Sequence, residues 1–166
     1  MTLTQLPLPR AAILVPLAAA LLLALAASPV RAAAADGQAA PAANERELIH
    51  LLKSNAPEAE KALACKQLAI CGTKDAVSAL APLLSEPHLA SWARIALEVI
   101  PGSAADAAFR RALGKLQGQL LIGVINSIGV RRDAKAVSGL VKRLKDKDPE
   151  VASAAAAALG RIGGAK

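Results

Sequence analysis

The stretch DPEVASAAAAALGRIGG, Asp148–Gly164, decides the fold class. Asp148 is suited to cap a helix, and Pro149 sits where a first helical residue needs no N–H. Val151, Ala154, Ala155, Ala158, Leu159 and Ile162 then follow at i, i+3, i+4, i+7, i+8 and i+11, the spacing of one helix face. Alanine and leucine are the strongest helix formers, and Gly163 supplies the stop. A face made largely of alanine buries little area by itself, so such a helix is stable only against close neighbours.

Working back from this segment, the chain breaks into further helix-length pieces. ERELIHLLKS, residues 45–54, follows Asn44, a plausible cap. Pro57 opens a helix over about 58–71, with Gly72 read as its left-handed C-cap. Thr73 caps the next, with Val77, Leu80 and Leu84 as its stripe and Pro82 expected to kink or shorten it. In HLASWARIALEVI the apolar positions Leu89, Ala93, Ala96, Leu97 and Ile100 share a face, and Pro101-Gly102 stops the run. Ser103 to Asp106 reads as a capping box for a helix with Ala105, Ala108, Phe109, Ala112, Leu113 and Leu116 inward. Leu121, Val124, Ile125 and Ile128 mark another, closed by Gly129, and Asp133 begins one with Val137, Leu140, Val141 and Leu144. No segment alternates apolar and polar residues over a strand length, so the fold class is all-α.

The helix-ending residues Gly72, Pro101, Gly129 and Gly163 recur at 29, 28 and 34 residues. CGTKDAVSALAPLL (Cys71–Leu84) is echoed by IGVRRDAKAVSGLVKRL (Ile128–Leu144), with a small insertion before Ala136-Val137. Two helices per unit of about 30 residues mean an α-solenoid of antiparallel helix pairs, about 3.5 of them over residues 44–166. The Asp148–Val151 opening with the Ala158–Gly163 ending closely resembles the first helix of the short HEAT-like repeats, also called phycobilisome-lyase-type repeats. Asp75-Ala-Val77 with Leu80, Leu83 and Leu84 is similar to their second helix. The resemblance spans roughly residues 58–163, and is weakest around Trp92, where VIPG replaces the IG ending. Ala152 stands where these repeats often carry arginine. The resemblance implies a right-handed superhelix that binds other proteins, with second helices lining its concave side. The Trp, Tyr and Phe positions of tetratricopeptide repeats are unfilled, and the ankyrin turn is absent. Because the sequence stops where earlier units begin a second helix, the last helix is expected to continue into further repeats or to meet another subunit.

Residues 1–35 read as a secretory signal peptide. Arg10 precedes AAILVPLAAALLLALAA (Ala11–Ala27), and small residues follow, placing cleavage between Ala32 and Asp36. Residues 36–43, DGQAAPAA, form a linker. The expected location is periplasmic or secreted; an uncleaved run would instead anchor the chain in a membrane.

The composition narrows the chemistry. Aromatics make up 1% of the chain, too few to build a base-stacking surface, and the export leader would remove the chain from nucleic acid, which is not an expected partner. His50 and His88 have no Cys or His at ligand spacing, and no P-loop, G-x-S-x-G or H-E-x-x-H pattern occurs. No catalytic residue, metal or cofactor is therefore expected. Cys65 and Cys71 lie six residues apart on one helix, about 9 Å between Cα atoms, beyond the roughly 7 Å that a disulfide spans, and they read as buried thiols. The net charge is +7, of which Arg10 and Arg31 belong to the leader. Lys135, Ser138, Lys142 and Lys145 form a polar stripe on a helix over 133–145, and Arg110, Arg111 and Lys115 occupy polar positions on the preceding second helix. With Arg143, these cations form the candidate groove for an acidic protein partner. The expected function is a non-catalytic interaction or scaffolding module of an exported protein. The alternatives are an N-terminal accessory domain of a larger exported enzyme and, disfavoured by the leader, a bilin-lyase-like enzyme.

Overall fold

The computed structural model describes residues 45–163, all within one packing unit, Gln38–Lys166. The expected leader, linker and Asn44 cap lie outside the described residues. Within them, the regular structure is entirely helical: α1 (Glu45–Lys53), α2 (Glu58–Cys71), α3 (Val77–Leu83), α4 (Ala90–Val99), α5 (Ser103–Leu113), α6 (Gly118–Arg131), α7 (Val137–Arg143) and α8 (Pro149–Gly163). Single 3₁₀ turns, Lys74–Ala76 and Ala134–Ala136, lead into α3 and α7. Thr73 and Asp133 cap these turns, their side chains accepting from the N–H groups of Asp75 and Lys135. Both residues are the ones that sequence pattern assigned as starts.

The even-numbered helices form one row, in which α2 packs on α4, α4 on α6 and α6 on α8. In the second row α3 packs on α1 and on α5. Between the rows, each odd-numbered helix packs on the even-numbered helix that follows it: α1 on α2, α3 on α4, α5 on α6, α7 on α8. The close partners are therefore joined by the longer loops, not by the tight turns at Gly72 and Arg132. A continuous core runs from Leu48 to Ala158 and is built from Leu, Ala, Val and Ile around the single Phe109. Alanine and glycine let the helices approach: a Cβ on Gly129 would lie 3.0 Å from the Cα of Ala158, so α6 and α8 meet nearly backbone to backbone.

The structure corrects the repeat boundaries. The bounds of α2 and α6, and likewise of α3 and α7, are offset by 60 residues throughout, so no insertion precedes Ala136-Val137. The buried residues Leu68, Leu97 and Ile128 are spaced by 29 and 31, as are Leu80, Phe109 and Leu140. Gly129 is thus no landmark; it lies inside α6, and the chain turns at Arg132, which adopts φ 53°. Arg132 N–H bonds to Gly129 O at 3.2 Å and Asp133 N–H to Ile128 O at 3.3 Å, the double closure that ends many helices in a left-handed residue. Gly72, expected in that conformation, is instead extended at φ −69°, ψ 141°. Glycine is required there for space, since a Cβ would fall 2.3 Å from the carbonyl oxygen of Leu68.

Three other expectations change. Ser103 is the first residue of α5, not its cap; the residue before it, Gly102, reverses the chain at φ 92°. Pro82 does not set the length of α3, because α7 has Lys142 at the same place and is equally short at seven residues. Val141 and Leu144, assigned to the α7 core face, are exposed, at 49% and 42%. α7 and α8 are the last helices among the described residues, with no further pair packed beyond them there.

Candidate functional site

The expected 133–145 helix is a 3₁₀ turn followed by the short α7, so Lys135, Lys142 and Lys145 are not on one continuous face. All three are exposed. Two other members of the proposed groove are committed to contacts along the second row. Arg110 on α5 is ion-paired with the nearly buried carboxylate of Asp133, the cap of the turn before α7. Arg143 donates to the carbonyl of Leu113 at 2.7 Å and to Asp146 at 3.0 Å, tying α7 to the end of α5. The Asp146 carboxyl is held below its usual range, first by the N–H of Asp148 and then by Arg143. Neither arginine presents a free charge to a partner.

Arg111 and Lys115 remain. They border a cleft of about 280 Å³ between α3 and α5, with Ser78, Pro82 and Ser85 on its α3 side and Ala108, Ala112 and Leu116 on its other wall. Proline and alanine keep the walls low, and both cations stand exposed at the rim. Of the seven candidate cations, these two share a concavity; Lys135, Lys142 and Lys145 extend the positive surface along the next second-row element.

The two thiols differ. Cys65 is buried among core residues, and its pKa is pushed up to about 11 by that burial, so it stays a protonated apolar filler. Cys71, expected to be buried too, is half-exposed at the end of α2 and donates to Gln67 O at 3.4 Å. Both are free.

Two features escaped the sequence reading. The first is a pair of polar clamps between α6 and its row neighbour α4. Arg131 at the end of α6 bonds Asp106 and reaches four backbone oxygens at the end of α4: Leu97 (3.0 Å), Glu98 (2.8 Å), Ile100 (2.8 Å) and Gly102 (3.0 Å). A guanidinium thus satisfies the carbonyls that a helix leaves open at its C-terminus. Ser127, buried on α6, donates to Glu98 Oε1 at 2.6 Å, and that carboxylate also receives Arg94 at 2.9 Å. These partners are far apart in sequence, and no local pattern announces them.

The second is an outward apolar row. Ile70 on α2, Val99 on α4 and Val130 on α6 occupy one register, spaced like the core residues by 29 and 31, and all are exposed, Ile70 to 84%. Leu63 and Trp92, again 29 apart, and Ile95 are exposed on the same helices. The signal was in the sequence: the only tryptophan and several large aliphatic residues fall outside the inward stripes.

Among known proteins, no curated one matches the chain. Residues 112–166, from the last turn of α5 through α6, α7 and α8, match the family described as HEAT repeats, so over this third of its length the chain is similar to HEAT-repeat proteins, as the repeat boundaries lead one to expect.

Proposed function

We propose that the chain is a non-catalytic protein-binding module, exported from the cytoplasm, in which stacked HEAT-like pairs build a right-handed solenoid and the second-row helices offer their outer face to an acidic protein segment. HEAT repeats generally mediate protein–protein interaction and are typically non-catalytic, and the match over residues 112–166 is the observation that carries this reading. The cleft between α3 and α5 supports the choice of face. It holds Arg111 and Lys115 in one cleft with the hydroxyl of Ser85, donors for a carboxylate-bearing chain. Lys142 continues the positive surface on α7. Export rests on the uncharged run Ala11–Ala27 behind Arg10 and the small residues after it.

The test is a photo-crosslinker placed at Ala112, on the cleft wall, in cells that make the chain. The expected result is one discrete protein adduct that disappears on Arg111→Glu with Lys115→Glu, while helix content is unchanged. An adduct indifferent to both reversals would dismiss the basic cleft as the binding face.

A further inference from the structure

We propose that the outward face of α2, α4 and α6 is a membrane-contact surface that rests on phospholipid, opposite in role to the second-row face that binds protein. Leu63, Ile70, Trp92, Ile95, Val99 and Val130 are all exposed. At two-fifths to four-fifths exposure, six such side chains present on the order of 500 Å² of apolar surface, at the upper end of what a soluble monomer carries. The shared registers of Ile70, Val99 and Val130 and of Leu63 and Trp92, on helices that pack side by side with Ile95 between them on α4, make them a band across the row, not scattered single residues.

The charges of this band select its occupant. The three stretches that form it, Leu63–Ile70, Trp92–Val99 and Gly123–Val130, contain one acid, Glu98, which is ion-paired with Arg94 and accepts a hydrogen bond from Ser127. Lys66 stands exposed between Leu63 and Ile70, and Arg132 stands exposed just past Val130. Aliphatic residues with one tryptophan and a cationic rim suit the headgroup boundary of a bilayer, where indole prefers to lie and lysine meets lipid phosphate. The sequence also supplies a tether. Only 17 residues separate Ala27, the end of the apolar run, from α1, a reach of at most about 60 Å. While that run is inserted in a membrane, the band is kept near it. This tether, though not the band itself, rests on the apolar run staying uncleaved, the alternative to cleavage between Ala32 and Asp36.

Trp92 is the only tryptophan, so its fluorescence reports the band alone. The full chain is mixed with vesicles of phosphatidylethanolamine and phosphatidylglycerol carrying bromine on the acyl chains near the headgroup. The expected result is a shift of Trp92 emission to shorter wavelength with strong bromine quenching. In the variant I70S/V99S/V130S, which keeps Trp92 and the buried core, quenching should fall roughly fivefold or more. Unquenched Trp92 overturns the proposal, whether or not the chain sediments with the vesicles. Equal quenching in the variant overturns it as well. A blue shift that grows with protein concentration without lipid would assign the band to a second copy of the chain instead. Loss of the crosslinked adduct in the cleft would leave these readings untouched, so the two surfaces fail independently.

Discussion

The unit α2–α3 and the unit α6–α7 have helices of the same lengths, offset by 60 residues, yet they bury different amounts of the same side chains. Leu84, just past α3, is 2% exposed; Leu144, its counterpart after α7, is 42% exposed. Leu83 is in the core, whereas its counterpart is Arg143, which reaches back to the end of α5. The difference lies in the neighbours. α3 has α1 on one side and α5 on the other, while α7 packs on α8 and has no second-row helix beyond it among the described residues. In a stack of repeats, burial belongs to the interface between units more than to the sequence of either unit.

Three substitutions separate these contributions, in descending order of effect. Leu84→Ala should cost about 3 kcal/mol, because it empties a filled site between helices. Denaturant midpoints at unchanged slope would measure it. Arg131→Lys comes next, at about 2 kcal/mol: one ammonium cannot serve Asp106 and four backbone oxygens that a planar guanidinium spans. A melting temperature within a degree of the parent chain would contradict the clamp. Leu144→Ala is the smallest, below about 1 kcal/mol, since its side chain already meets solvent. If Leu144→Ala matched Leu84→Ala, the contrast between the two units would collapse.

Much of the fold is legible in the sequence, for local reasons. Pro57 gives α2 its start, and a stripe at helical spacing picks out Leu89, Ala93, Ala96, Leu97 and Ile100, all of them buried. Thr73 and Asp133 are recognisable caps because capping acts within three residues. Glycine misleads, because it serves two purposes that look alike in sequence. Gly129 is small so that α8 can approach, while the left-handed turn that glycine usually makes is made by Arg132. The site was less legible still. Arg110 and Arg143 look like free surface cations until the fold brings Asp133 and the carbonyl of Leu113 to them. The outward row is invisible to a search for one stripe per helix, since Ile70, Val99 and Val130 fall outside it.

Native-state hydrogen exchange read helix by helix tests the central claim, that position in the stack sets stability. The account predicts the strongest amide protection in α4 and α6, which have neighbours on both sides of their row, and weaker protection in α7 than in α3 despite equal length. Equal protection in α3 and α7 would contradict it, because burial would then follow from each element's own sequence and not from its neighbours.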